Sequence, residues 1–236
     1  MYGFESVIRY SEVDAHMHMT LTALLELLQD CCIFQSEHMG IGMHYLQEKK
    51  RAWVLSSWQV IVKRYPALGE KVTAYTWAYD CKGFYGYRNF KVVDGQGDTV
   101  AYANSIWIFM DTEKMRPARI PEELVKVYSM DEPLDMEKAG RKLTIEGDCK
   151  EEDPVPVQKF YIDTNLHVNN SKYVLIAQEY LPECFKIGEL RAEYRKAAVL
   201  KDILHPRTNV GEGQVTVSLE DEAGKPYAIV EFIEEN

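Results

Sequence analysis

The sequence lacks any apolar run that approaches the roughly 18 residues a membrane-spanning helix requires, so no membrane segment is expected. Its first residues, Met1–Glu5, show no basic stretch followed by an apolar core, and we expect no secretory signal peptide. Cysteine is scarce and odd in number, with five residues and no Cys-x-x-Cys pair. Reduced thiols in a cytoplasmic protein are the natural interpretation.

Positive charge is also in short supply. The 27 Lys and Arg residues face 37 Asp and Glu residues, which gives a net charge of −10. Because no dominating positive field is available, neither nucleic acid nor an anionic membrane is an expected partner. The sequence also lacks a Gly-rich phosphate loop and a Gly-x-Ser-x-Gly elbow, so neither a phosphate-bearing cofactor nor a serine hydrolase is indicated.

The patterns that are present indicate an α+β chain. From Leu21 to Met39 the apolar residues recur at helical spacing, and Gly40 stands where a C-terminal cap belongs. Four segments rich in Val, Tyr, Trp and Thr follow, separated by turn signals. These predicted strands are Trp53–Arg64, Lys71–Asp80, Phe84–Val93 and Thr99–Met110. A helix followed by consecutive strands is typical of α+β rather than alternating βαβ structure.

The second half of the chain repeats the plan of the first. Three matches occur in the same order, and their offsets shrink from 149 to 132 to 127 residues. The matched segments are Asp163–His167 with Asp14–His18, Arg195–Leu204 with Lys63–Val72, and Asp221–Ala228 with Asp94–Ala101. Each match is weak alone, but together they argue for a duplicated unit. We expect units at 1–130 and 157–236, joined by an acidic, exposed connector at 131–156.

A polar motif precedes the helix predicted in the second half. Asp163, Asn165 and His167 lie two residues apart, and Asn169 or Asn170 is a good N-cap. If the backbone is extended, the three side chains share one face, and the helix start supplies N–H groups for an oxyanion. Such a set suits hydrolysis of an activated acyl group. The alternative is that Asp163 and Asn165 shape a turn and His167 packs.

Residues 163–173 (DTNLHVNNSKY) resemble the signature of the acyl-ACP thioesterases, the acyl carrier protein hydrolases of plant plastids and bacteria. Weaker matches lie at Val62–Val72, Ser105–Trp107 and Ile120–Glu123, and the resemblance runs from about residue 4 to residue 232. It implies a tandem double hotdog, in which each unit is a long helix wrapped by a curved antiparallel β-sheet. It also implies hydrolysis of the thioester between a fatty acyl chain and the carrier's phosphopantetheine arm, which ends or diverts fatty acid synthesis. No metal and no organic cofactor are implied.

One departure from the family bears on mechanism. The plant enzymes carry a Tyr-Arg-Arg-Glu-Cys string whose Glu and Cys have both been proposed as catalytic, and Ala197 and Ala198 stand at those places. The resemblance therefore leaves Asp163 as general base or as nucleophile. The other residues with implied roles are Asn165 and His167, which hold the water or the carboxylate, and the backbone N–H groups of Val168, Asn169 and Asn170, which stabilise the oxyanion.

The implied partner is the acidic acyl carrier protein, so a basic docking surface is expected. The nearest candidates are Arg191, Arg195, Lys196 and Lys201, and a second cluster contains Lys114, Arg116 and Arg119. The resemblance assigns the acyl-chain tunnel to the first unit, where Asp14, His16 and His18 lack an evident fourth metal ligand. No metal is therefore expected there, and a second hydrolytic site is an open alternative.

Two other functions remain open at this point. The first is an acyl-CoA thioesterase of the hotdog class, and the second is a non-catalytic acyl-binding module. The loss of the Glu-Cys pair favours the binding module slightly, whereas the intact motif at 163–167 opposes it. Chain-length preference is not readable, and both a monomer and a homodimer are compatible with two hotdog units in one chain.

Overall fold

The computed structural model describes residues 1–235, which form two compact units. The first unit contains Met1–Ser56 and Val60–Lys138, and the second contains Ser57–Gln59 and the chain from Ala139 onward. The division after Lys138 lies within the connector predicted at 131–156. None of the helices in residues 1–235 is long and apolar enough to cross a membrane.

The first unit is an antiparallel sheet with one long helix and two short ones. Its strands are β1 (Tyr2–Val7), β2 (Arg51–Val62), β3 (Lys71–Lys82), β4 (Tyr85–Asp94), β5 (Thr99–Asp111) and β6 (Arg116–Pro117), and its helices are α1 (Leu21–His38), α2 (Met43–Glu48) and α3 (Glu122–Tyr128). The strand order is β1-β3-β4-β5-β2, with β6 paired to β5. The predicted helix and all four predicted strands are confirmed to within two residues at each end.

Helix α1 begins after a capping threonine, and a glycine follows its C-terminal end. The Thr20 hydroxyl accepts the N–H of Ala23, and Gly40 adopts a φ of +71° beyond the last turn. The leucines and the two adjacent cysteines of α1 are buried. The Cys31 thiol lies 3.2 Å from the carbonyl of Ala74 on β3, and buried Arg88 on β4 donates to Gln35 of α1. Apolar burial, at roughly 1.5–3 kcal/mol for each full leucine side chain, therefore fixes the helix on its own sheet.

The second unit repeats the arrangement of antiparallel strands and a central helix, but α4 is shorter than α1 and is the single α-helix among its described residues. Its strands are β7 (Lys150–Glu151), β8 (Val155–Pro156), β9 (Ile187–Tyr194), β10 (Ile203–Gly211), β11 (Gln214–Glu220) and β12 (Pro226–Glu234), and its helix is α4 (Asn170–Gln178). The strand order is β9-β12-β11-β10-β7, and every pairing in it is antiparallel. Helix α4 has 9 residues against 18 in α1, so the long helix is a feature of the first unit.

The duplication read from the sequence reappears in the backbone hydrogen bonds of each unit. Bonds in the first unit recur in the second at the offsets found in the sequence. The matching N–H to carbonyl pairs are Thr20–Glu12 with Asn169–Tyr161, Met19–Pro66 with Val168–Ala198, Ile8–Glu70 with Val157–Asp202, and Asp94–Asp98 with Asp221–Lys225. Because backbone bonds do not depend on side-chain identity, the two units share one fold despite little sequence similarity.

The connector is held more firmly than its charge pattern predicts. Most of residues 131–156 are exposed, as expected, but four strand side chains bond its backbone. The bonds are Trp77 Nε1 to the Glu132 carbonyl, the Leu134 N–H to Asn89, the Ala139 N–H to Gln59, and the Leu143 N–H to Glu193. Its last residues form β7 and β8 beside β10. The segment is therefore an integral part of the fold.

Candidate active site

The motif at Asp163–His167 is a tight turn rather than an extended segment, which is the alternative that the sequence left open for Asp163 and Asn165. The Asp163 N–H donates to the His167 carbonyl at 2.8 Å, and Leu166 has a φ of +62°. Ile162 and Val168 form an antiparallel bridge that closes the turn. The Asp163 and His167 backbones therefore face each other across the turn. Within residues 1–235 no hydrogen bond joins the side chains of Asp163, Asn165 and His167, although the three residues belong to one turn.

The carboxylate of Asp163 has a structural task as well. Its Oδ1 accepts the N–H of Asn165 at 2.7 Å, the bond of an Asx turn. Asp163 and His167 are half-buried, whereas Asn165 is exposed. One carboxylate oxygen is thus committed to the turn, and Oδ2 has no partner among the described residues.

The corresponding turn in the first unit is built in the same way but commits its aspartate further. Oδ1 of Asp14 accepts the N–H groups of both His16 and His18, at 2.8 and 3.0 Å. Burial alone would raise the pKa of Asp14, but these backbone hydrogen bonds hold that pKa below its usual value. Asp14 therefore serves its own turn with two bonds, whereas Asp163 serves its turn with one.

The start of α4 offers fewer free N–H groups than the sequence suggests. Asn169 is the N-cap, and its side chain accepts the N–H of Ser171 at 2.9 Å. The Val168 N–H donates to Ala198, and the Asn169 N–H donates to Tyr161. Of the three N–H groups expected to stabilise an oxyanion, only that of Asn170 has no acceptor within residues 1–235.

Two tyrosines that the motif analysis did not assign fix the end of β9 against α4. The Ala198 N–H donates to the hydroxyl of Tyr173 at 2.8 Å, and the hydroxyl of Tyr194 donates to the Asn170 carbonyl at 3.1 Å. Their ring centres are 6.0 Å apart. Burial raises the pKa of Tyr173 to about 12, so its hydroxyl stays protonated at neutral pH. The Ala198 carbonyl accepts the Val168 N–H at 2.9 Å, so Ala198, at the place that the resemblance gives to the family cysteine, lies next to the motif turn.

Three of the four basic residues predicted to dock a carrier are paired with carboxylates of their own sheet. Arg191 Nη1 lies 2.5 Å from Glu231, Arg195 Nη2 lies 2.8 Å from Glu193, and Lys196 Nζ lies 3.0 Å from Asp221. Their charges are largely neutralised in place, and Lys201 is the one exposed member with no ion pair among the described residues.

The cysteines carry a prediction that follows from their positions. Burial raises the pKa of Cys31 to about 12 and that of Cys32 to about 11, so neither supplies a thiolate at pH 8. Cys184 is exposed. Iodoacetamide on the folded protein is expected to label Cys184 first and to leave about 80% or more of the hydrolytic activity proposed below. Loss of activity that Cys184→Ser prevents would contradict this.

Comparison with known proteins identifies the family. The model of the acyl-ACP thioesterase N-terminal domain matches residues 2–128, and the model of the C-terminal domain matches residues 146–223. The chain belongs to the acyl-ACP thioesterase family. A palmitoyl-acyl carrier protein thioesterase from the chloroplast of Gossypium hirsutum is 27% identical over 226 residues, which cover 87% of this chain and 54% of the relative. The chain thus spans about half the length of the curated acyl-ACP thioesterases it matches.

Solved structures support the same fold. An acyl-ACP thioesterase from Bacteroides thetaiotaomicron superposes with a TM-score of 0.90 at 24% identity, covering 99% of this chain and 97% of that one. The 12:0-ACP thioesterase from Umbellularia californica superposes with a TM-score of 0.86 at 22% identity, covering 99% and 96%. The predicted α+β tandem hotdog of the acyl-ACP thioesterases is therefore confirmed.

Proposed function

We propose that the protein hydrolyses fatty acyl thioesters carried by acyl carrier protein and releases the free fatty acid. Family membership over both halves supports this reaction, and one observation in the site carries the assignment to the second unit. Oδ2 has no hydrogen-bond partner within residues 1–235 in either Asp163 or Asp14, but Asp163 and His167 are half-buried, whereas Asp14 and His18 are exposed. The first unit, with the buried leucines of α1, is proposed to bind the acyl chain.

In the proposed reaction Asp163 removes a proton from water as the water oxygen attacks the thioester carbonyl carbon. Asn165 and His167 orient the water, and the Asn170 N–H stabilises the negative oxygen of the tetrahedral intermediate. The carbon–sulfur bond then breaks, and the pantetheine sulfur leaves with the proton. Direct attack by Asp163 on the carbonyl would give an acyl anhydride first. A quenched single turnover with hydroxylamine separates the two routes, because hydroxylamine captures an Asp163 anhydride as a hydroxamate, and oxygen-18 from water in Asp163 would show attack on the aspartyl carbonyl of that anhydride.

The test of the proposed function is steady-state hydrolysis of acyl-ACP beside acyl-CoA of the same chain length. A kcat/KM at least tenfold higher for acyl-ACP is the expected result. Equal or higher values for acyl-CoA would favour the acyl-CoA thioesterase. Binding of both thioesters without release of a thiol would favour the acyl-binding module.

Asp14→Asn tests the division of labour between the two turns. Because Asp14 and its two histidines are exposed and its Oδ1 serves the turn backbone, its replacement should lower kcat by less than tenfold, which is under about 1.4 kcal/mol of transition-state stabilisation. Circular dichroism checks that the variant is folded, and a chelator added to the wild type should change nothing. A loss equal to that of Asp163→Asn in two well-folded variants would mean that both units contribute to catalysis.

A further inference from the structure

A group of exposed cations lies at one end of the first unit. Its members, here called the basic surface, are Lys49, Lys50, Lys114, Arg116 and Arg119. All five are exposed, and within residues 1–235 none lies within ion-pair distance of a carboxylate. In a chain of net charge −10, this local excess of positive charge is unusual.

Backbone contacts bring these residues together. The turn between β5 and β6 carries Lys114, and its Thr112 N–H donates to the Lys50 carbonyl at 3.1 Å. The backbone of Arg116 lies opposite that of Asp111 in the β5–β6 pairing, and the side chain of Arg51, not that of Arg116, reaches Asp111 Oδ2 at 3.1 Å. These contacts place the backbones of Lys50, Lys114 and Arg116 next to one another, with Lys49 and Arg119 close to them in sequence.

The patch is also rigid at its centre. Asp111 is buried, and its Oδ1 accepts the N–H groups of Glu113 and Lys114 at 3.1 and 2.9 Å. These bonds fix the turn backbone and use no cationic side chain. Met115 stands at the tip with 73% of its surface exposed, which adds an adaptable apolar contact. The exposed acidic residues near these cations in sequence are Glu48, Glu113, Glu122 and Glu123, four against five cations, and the turn that carries Lys114 and Arg116 contains one of them, Glu113.

We infer that the basic surface docks the acidic acyl carrier protein, an inference that rests on the proposed function. Charge complementarity selects the partner, because an acidic protein is attracted to unpaired, exposed cations and repelled by most of this chain. The cations predicted from the sequence at Arg191, Arg195 and Lys196 are a poorer fit, since carboxylates of their own sheet already occupy them. Docking through a rim of exposed charge acts mainly on association rate and depends on ionic strength.

The experiment compares two double variants of the full chain that change charge by the same amount. Lys114→Glu with Arg116→Glu reverses the centre of the basic surface. Lys142→Glu with Lys225→Glu reverses two exposed lysines that have no ion pair among the described residues. Each protein is assayed on acyl-ACP and on acyl-N-acetylcysteamine of the same chain length, which lacks the carrier.

The basic-surface variant should lower the ratio of kcat/KM for acyl-ACP to kcat/KM for the truncated thioester at least tenfold at low salt. Added salt should lower the wild-type ratio and leave that of the variant nearly constant. The matched control should change the ratio less than threefold. Equal effects of the two double variants, or no effect of the first, would overturn the docking surface. A wild type that prefers acyl-CoA would instead overturn the proposed function, so the two failures are distinguishable.

Discussion

Asp163→Asn is expected to lower kcat on acyl-ACP by at least a hundredfold, within the roughly 10²–10⁴-fold range that a general base contributes. The substitution separates the negative charge of Asp163 from its role in the turn, because the amide oxygen of asparagine can still accept the Asn165 N–H that Asp163 Oδ1 accepts at 2.7 Å. The turn is kept and the negative charge is removed. The loss should appear in kcat rather than in chain binding, since the carboxylate acts at the carbonyl and not at the distant tail.

Asp163→Ala provides the comparison, because it removes both the charge and the turn bond. Similar kcat values for the Asn and Ala variants would show that the loss of kcat comes from the missing negative charge. A much lower kcat for the Ala variant would show that the turn hydrogen bond also contributes. Affinity for a non-hydrolysable thioether analogue of the acyl-ACP should stay within threefold of wild type. Retention of more than about a third of wild-type kcat by Asp163→Asn would contradict the assignment of Asp163 as the general base.

Glu193→Ala should produce the largest loss of stability, about 3 kcal/mol in the free energy of unfolding. The Glu193 side chain is 5% exposed on β9, and its Oε2 accepts the Leu143 N–H at 2.9 Å and Arg195 Nη2 at 2.8 Å. Arg141 lies 3.8 Å from the other oxygen. Removing the carboxylate leaves a buried N–H without an acceptor. Because both arginines are partly solvated, we place the loss at the low end for a buried ion pair.

Denaturation in urea at pH 7 measures this change, with Glu222→Ala as the matched control. Glu222 is an exposed glutamate in the hairpin before β12, so its variant should lie within about 0.5 kcal/mol of wild type. Glu193→Gln should fall between the two, since its amide oxygen still accepts one N–H. A Glu193→Ala variant less than about 1 kcal/mol below wild type would show that the connector is held by other contacts.

The sequence was sufficient for the elements whose signals are local. The leucine spacing and Gly40 predicted α1, and β-branched and aromatic runs between turn residues predicted the strands of the first unit. The duplication was readable because turn residues such as Asp94 and Asp221 are needed by the backbone itself: each carboxylate accepts N–H groups of its own turn. Neither the predicted elements nor the duplication depends on which residues distant in sequence contact each other in the fold.

The sequence located the motif at 163–173 but did not predict its geometry, and the catalytic roles of its residues stay a prediction. Spacing of two residues is compatible with an extended strand and with a turn, and the positive φ of Leu166, a residue without the freedom of glycine, was not foreseeable. The commitment of the Val168 N–H to Ala198 depends on a pairing 30 positions away along the chain. Likewise, no local pattern distinguishes a paired arginine such as Arg195 from a free one such as Arg116.

The four side chains that hold the connector have a practical meaning for protein engineering. Asn89, Gln59 and Glu193 are buried polar groups in strands, where an unpaired polar atom is costly, and the connector backbone supplies one partner of each. A Gly-Ser linker of different length would move those backbone groups out of register and leave the side chains unsatisfied. The stretch that looks most like a spacer is thus a poor place to insert a tag or to exchange halves between relatives. All three residues of the turn at 222–224 are exposed, so this turn is the better place for an inserted tag.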